Sequence, residues 1–276
     1  MAMDLDGASV LLTGGSRGLG PYIARALQAR GGRVTLAARS ADDLDRVRGS
    51  LDPDRVAVVA GDVTNEDDRA TMVAHAEAAF GPLDVLVNNA GIEHVLPFPR
   101  HSEEDIHALV AVNLDAPLQL CRLAVPGMME RRRGHVVNVA SLAGKVAVPY
   151  NTVYSATKHG LVGFTYSLRA ELHGTGVSAS AVCPGFVTEA GMFADRAHAE
   201  VPRGSGTWTT PPKVAAAVIR AVEHDLADVV VSGPLGKIAD VSLAMAPRLT
   251  EAIARRTGAY RIQRREADAQ VRRREG

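Results

Sequence analysis

The sequence predicts an α/β chain built on a doubly wound, seven-stranded parallel sheet with helices on both faces. Three observations carry that expectation. Short aliphatic runs recur seven times, they lack the polar alternation of a strand with one wet face, and stretches of helical periodicity separate them. In order, the runs are SVLLTG, RVTLAA, RVAVVAG, DVLVNN, HVVNVAS, VSASAVC and DVVVSG. The intervening helices are expected at about 19–30, 41–50, 65–79, 103–132, 153–173 and 212–225, with a last one after the final strand at 237–257.

The helix starts have local causes. Pro21 falls in the first turn of the first helix, where its missing N–H has no intrahelical partner anyway. Ser40 reads as an N-cap with Asp43 as its partner, and Thr64 with Asp67 and Ser102 with Asp105 each resemble a capping box. The 276 residues fit one large domain over 1–257. Residues 186–212 exceed a normal strand-to-helix connection and read as a substrate lid, the alternative being a surface excursion. Residues 258–276 form a basic tail, arginine-rich and poor in large apolar residues, expected to fray or to make a solvated helix.

Composition narrows the partners. Lys plus Arg and Asp plus Glu are both 31, so no overall field favours nucleic acid or an anionic membrane, and a small molecule is the expected ligand. Cys121 and Cys183 are far apart and form no CxxC pair, which fits a reducing cytoplasm and no thiolate metal site. The acidic start MAMDLDGASVLL does not resemble a signal peptide, and no apolar stretch approaches the ~20 residues that span a bilayer. The expectation is a soluble, cytoplasmic protein.

VLLTGGSRGLGPYIARAL joins the first strand to the first helix through Gly14, Gly18 and Gly20. Glycine permits a tight turn and close backbone approach, and the helix N-terminus beyond offers N–H groups and a favourable dipole to a pyrophosphate. The spacing is G-x3-G-x-G. With NNAG at 88–91, Asn113, Ser141 and YSATK at 154–158, it resembles the compact, single-domain branch of the short-chain dehydrogenase/reductase family, over about Ser9 to Val231. The resemblance implies a Rossmann-type NAD(P)-binding fold. It also implies cofactor contacts by Gly14, Ser16, Arg17, Gly18, Leu19 and Gly20, by Asp62 and Val63 after the third strand, and by Asn89, Ala90 and Gly91. Pro184, Gly185, Val187 and Thr188 of CPGFVT match the segment that covers the nicotinamide in that family. Asp62 also reads as a strand-end turn residue, and Cys183 as a packed core residue.

Charge favours NADP(H) over NAD(H). The second strand has Ala38 where an acid would hold the adenosine ribose, followed by Arg39 and Ser40, and Arg17 adds a second cation able to face a phosphate. A solvated Arg39 at a strand end is the alternative reading.

Tyr154 and Lys158 share one helix face at i and i+4. A free phenol ionises near pH ~10, and a neighbouring ammonium favours its phenolate, so the pair makes sense as a tuned acid/base. Ser141, at the end of the fifth strand, is placed to hydrogen-bond a substrate oxygen, and Asn113 is an amide in a mainly apolar helix that needs a polar reason. The resemblance assigns Tyr154 as acid or base, Ser141 as orienting group and Asn113 as support of a water-linked proton relay. It has Lys158 both tune the tyrosine and hold the nicotinamide ribose, with Tyr154 also among the cofactor contacts. NVASLAG is no G-x-S-x-G elbow, and the nine histidines show no ligand cluster. His94 reads as a surface loop residue.

The expected reaction is interconversion of a ketone and a secondary alcohol by direct hydride transfer. A non-catalytic dinucleotide sensor on the same fold would be free to lose the proton-transfer groups, and a sugar-nucleotide epimerase or dehydratase would need a larger C-terminal domain. Pocket walls are expected from the loop after NNAG, from Leu142 to Tyr150, and from Met192, Phe193 and Trp208 of the lid. A β-ketoacyl chain, a steroid-like ketone, a polyketide and an aromatic ketone all remain open. The chain continues past the last strand where the family often ends at a tetramer interface, so both a homodimer and a homotetramer are carried forward.

Overall fold

A computed structural model describes residues 2–188, 190–191, 208–233 and 259–275. The main sheet has seven parallel strands. They are β1 (Ser9–Thr13), β2 (Arg33–Ala38), β3 (Val56–Ala60), β4 (Val85–Asn88), β5 (Gly134–Val139), β6 (Val177–Pro184) and β9 (Asp228–Val231), in the order β3-β2-β1-β4-β5-β6-β9. Sequence order reverses direction between β1 and β4, which opens the crevice at the strands' carboxyl ends where doubly wound sheets bind ligands.

Both faces are buried because each strand alternates between two apolar layers. Val10 and Leu12 point to one core with Ile23 and Leu27 of α1 (Gly20–Gln28), Leu44 of α2 (Ala41–Arg48) and Val218 of α7 (Pro211–Glu223). Leu11 points to the other with Met72 of α3 (Glu66–Phe80) and Leu120 and Met128 of α5 (Ala116–Glu130). The expected helix over 103–132 is α4 (Glu103–Val110), a π-helical turn (Ala111–Asp115) and α5. Closing that turn, the Ala116 N–H donates to the Ala111 carbonyl across five residues. Helix α6 (Thr152–Glu171) follows β5.

Several expectations need correction. Asn65, not Thr64, caps α3: its side chain accepts from the Asp68 N–H, while Thr64 is occupied two residues earlier, its N–H and hydroxyl both donating to Asp62 Oδ1. The Ser102–Asp105 capping box and the Ser40 cap on the Asp43 N–H are present. The run Glu103–Glu130 is long and apolar enough by length and composition to cross a bilayer, against the expectation of no such stretch. Its apolarity has another use, since Ala116, Leu120, Ala124 and Met128 are buried against the sheet. The tail is also not merely solvated. It forms α8 (Ala259–Glu275), on which Ala267 is fully buried. The helix expected at 237–257 lies outside the described residues.

The ends of the expected lid are clasped together. β7 (Phe186–Val187) pairs in parallel with β8 (Trp208–Thr209), and the Phe186 and Trp208 rings pack at a tilt of 38° with centroids 5.4 Å apart. Met192 and Phe193 lie outside the described residues.

Candidate active site

The carboxyl ends of β1, β4 and β5 are neighbours, so the glycine turn, NNAG and Ser141 converge. The turn is built for close approach. Gly14 has φ +66°, and a Cβ there would sit 2.9 Å from Ala90 Cα; at Gly20 it would lie 2.2 Å from the Gly14 carbonyl oxygen. Asn89 Nδ2 donates to the carbonyls of Thr13 and Gly14 at 3.0 and 3.1 Å, and Thr13 Oγ1 accepts from the N–H groups of Asn89 and Ala90, both at 3.1 Å. Asn89 and Ala90 thus brace the turn. Sequence reasoning did not single out Thr13, although a hydroxyl at a buried strand end is the available signal.

A dinucleotide fits this cradle. Helix α1 has no side-chain cap, Pro21 carries no N–H, and the Gly20 and Tyr22 amides donate to the Arg17 and Leu19 carbonyls at 3.1 Å, so what the helix start offers a phosphate is chiefly the positive end of its dipole. Gly18, at φ +60°, has open space on its Cβ side except for the Gly191 backbone at 3.3 Å. Ser16 and Leu19 are half-buried on the same turn.

Ala38 ends β2, and Arg39 and Arg17 are exposed beyond it; neither is in an ion pair among the described residues. The Asp43 carboxyl is held below its ordinary range by Arg46 and Ser40 first and, least, by Arg17; the Gly15 N–H donates to the Ala37 carbonyl at 3.1 Å, which sets the turn carrying Arg17 beside the end of β2. Asp62 accepts from Thr64 in a turn, and the Val63 carbonyl takes a 2.8 Å bond from Arg69, so both have structural duties at the end of β3. Gly91 leads from this brace into the next loop. Pro184 ends β6, the Gly185 N–H donates to the Val231 carbonyl at 3.0 Å, and Thr188, next to Val187, donates from N–H and hydroxyl to the Thr209 carbonyl.

On α6, Tyr154 and Lys158 are 6% and 3% exposed. Lys158 Nζ lies 5.7 Å from the Tyr154 ring centroid and donates at 3.0 Å to the carbonyl of Val139, the last residue of β5. Burial pushes its ammonium down from 10.5 to about 8, against the opposing influence of Cys183 and Glu93. Ser141 Oγ accepts from the Ala143 N–H at 3.1 Å, which leaves its O–H as a donor. Its short turn packs on α6 so closely that a Cβ on Gly144 would lie 2.6 Å from the Lys158 carbonyl oxygen. Ala143, Val153 and Tyr154 share one apolar cluster with Ile92.

Asn113 is fully buried, and the π turn presents its amide to Ile92, which it clamps with two 2.9 Å bonds, Oδ1 accepting from N–H and Nδ2 donating to the carbonyl. This is the polar reason its apolar setting required. His94 has a partner after all, its Nδ1 lying 2.9 Å from Asp105 Oδ1. Cys183 is fully buried beside Asp228, as a packed residue. Lys145, which sequence reasoning missed, ties the Ser141 turn to β9 through a 2.6 Å contact with Asp228 and to α6 through a 2.9 Å bond to Tyr166. Burial alone would lower its pKa, but these two bonds raise it instead.

Fold and site define an oxidoreductase of the dinucleotide-fold class. The chain belongs to the short chain dehydrogenase family, whose model matches residues 8–200. It is 43% identical to the ketoacyl reductase HetN of Nostoc sp. over 230 residues, 83% of this chain and 79% of that protein. It is 37% identical to the D-beta-hydroxybutyrate dehydrogenase of Cupriavidus necator, over 66% of this chain and 72% of the relative. Among solved structures, an actinorhodin polyketide ketoreductase variant with NADPH is similar at a TM-score of 0.75 and 31% identity, covering 86% of this chain and 99% of that one. A metagenomic short-chain oxidoreductase in complex with NADP is similar at 0.70 and 33% identity, covering 83% and 98%.

Proposed function

We propose that the protein is an NADP(H)-dependent oxidoreductase that interconverts a ketone and a secondary alcohol, with 3-oxoacyl compounds as its substrate class. One observation carries the reaction: Ser141, Tyr154 and a buried Lys158 tethered to Val139 gather at the carboxyl end of β5, beside a glycine turn shaped for a dinucleotide. The relatives named as ketoacyl reductase, polyketide ketoreductase and β-hydroxybutyrate dehydrogenase share β-oxo or β-hydroxy chemistry, which supports the substrate class. Ala38 in place of an acid, with Arg39, Ser40 and Arg17 around the end of β2, supports NADP(H).

When bound, the reduced dinucleotide supplies the hydride. In reduction, Tyr154 gives its phenol proton to the substrate oxygen, and Ser141 donates a hydrogen bond to the same atom because its acceptor side is already used by Ala143. Lys158, tethered to Val139, keeps a positive charge beside the phenolate left behind and has further N–H donors for the nicotinamide ribose. Asn113 frames the pocket through Ile92 and has a second Nδ2 hydrogen to offer a proton relay. Oxidation runs these roles backwards.

The test follows NADPH consumption with acetoacetyl-coenzyme A, 3-oxododecanoyl-coenzyme A and an aromatic ketone. Tyr154→Phe is expected to lower kcat by about 10²–10⁴-fold with NADPH affinity unchanged, the range for loss of a general acid; unchanged turnover refutes the assignment. Arg39→Asp should lower kcat/KM for NADPH about a hundredfold and leave NADH little affected. A wild-type enzyme that prefers NADH would overturn the cofactor reading.

A further inference from the structure

The loop from Ile92 to Leu96 runs beside the catalytic helix and is tied at every residue. Asn113 clamps Ile92, Asn151 Nδ2 donates to Glu93 Oε1, His94 contacts Asp105, and the Leu96 N–H donates to the Tyr150 carbonyl at 2.9 Å. These partners all come from residues 105–151, within the catalytic frame. The remaining tie does not. The Val95 N–H donates at 3.0 Å to Gln270 Oε1, a side chain 175 residues later on α8.

Val95 and Leu96 are 1% and 0% exposed, so the Val95 amide lies where water does not readily replace a lost acceptor. The α8 side of the contact is a built face. Ala267, Gln270 and Val271 follow the i, i+3, i+4 spacing and are buried or half-buried, while Arg264, Arg265, Arg272 and Arg273 are exposed. The helix lies beyond residues 8–200, the part matched by the family as a whole.

We propose that Gln270 is a positioning residue for substrate binding. Through Val95 it holds the Ile92–Leu96 wall against Tyr150–Tyr154, which makes α8 part of the substrate pocket. The inference rests on the reading of this site as a carbonyl reductase. Its consequence falls on one kinetic parameter. Losing the Gln270 acceptor leaves Tyr154, Lys158, Ser141 and the glycine turn untouched, so the wall loosens while the proton and dinucleotide machinery stays in place.

The experiment compares full-length wild type, Gln270→Leu and Gln270→Glu, the last keeping an acceptor of the same reach. Amide exchange over residues 92–97 is expected to speed up at least tenfold in Gln270→Leu and to return near wild type in Gln270→Glu. With saturating NADPH, KM for acetoacetyl-coenzyme A should rise about tenfold in Gln270→Leu, with kcat and KM for NADPH within about twofold. Unchanged exchange, faster exchange with unchanged KM, or a Gln270→Glu variant that behaves like Gln270→Leu would each overturn the proposal. A wild-type protein that reduces no carbonyl compound would sink the proposed function instead. Exchange then still decides the tie: faster exchange in Gln270→Leu alone supports it, and unchanged exchange ends it.

Discussion

Replacing Lys158 with methionine should make the dinucleotide-free protein more stable while it abolishes reduction. The ammonium is 3% exposed, and burial pushes it down from 10.5 to about 8. Each pH unit between the folded and unfolded values is worth about 1.4 kcal/mol, so at pH 7, where both states are protonated, burying the charge costs about 3 kcal/mol. The unfolded chain binds more protons between those values, so stability rises with pH across that window. The cost is full below pH 8 and gone above 10.5. Methionine fills nearly the same volume without the charge but removes the donor to the Val139 carbonyl, a loss of about 1 kcal/mol. The variant should therefore be about 2 kcal/mol more stable at pH 7 and close to wild type near pH ~9.5. Urea unfolding followed by far-ultraviolet circular dichroism at both pH values measures the difference. A less stable variant at pH 7, or a difference that does not shrink with pH, would refute this account of the buried lysine.

Two further outcomes follow from buried groups. Ser180 Oγ donates to the Leu226 carbonyl and so accepts from His135 Nε2, which leaves the buried Nδ1 without a hydrogen-bond partner among the described residues, and burial holds this histidine at about 4 against an ordinary 6.5. Stability should fall as pH drops through that window, by about 2–3 kcal/mol from this group at pH ~4.5; His135→Gln should flatten the acid limb of a plot of melting temperature against pH. Gly14→Ala places a Cβ 2.9 Å from Ala90 Cα at a positive φ. It should cost about 1–2 kcal/mol of stability and at least about tenfold in NADPH affinity, read by fluorescence titration.

The seven strands were legible because the signal for a doubly covered strand is local: a short aliphatic run, such as the four-residue β4, already marks it. The cap of α3 was not. Thr64 and Asn65 are both good caps, and Asp62 decided between them by taking the Thr64 hydroxyl into its own turn. The π turn also escaped, because one extra residue in a helical turn barely disturbs a periodicity count. An amide in apolar company, Asn113, was its only trace. The basic tail was read from composition, which registers four exposed arginines but not the buried Ala267 or the Gln270 side chain that meets the loop after β4.

By itself the sequence determined the order of strands and helices, the glycine turn and the residue types able to move a proton, since each rests on spacing within a few residues. Only the tertiary structure decided that Lys145 reaches Asp228, 83 residues away, and that Gln270 reaches Val95. It also decided that Lys158 is buried deeply enough to shift its titration. Such facts depend on which surfaces exclude water together, and no local pattern encodes that.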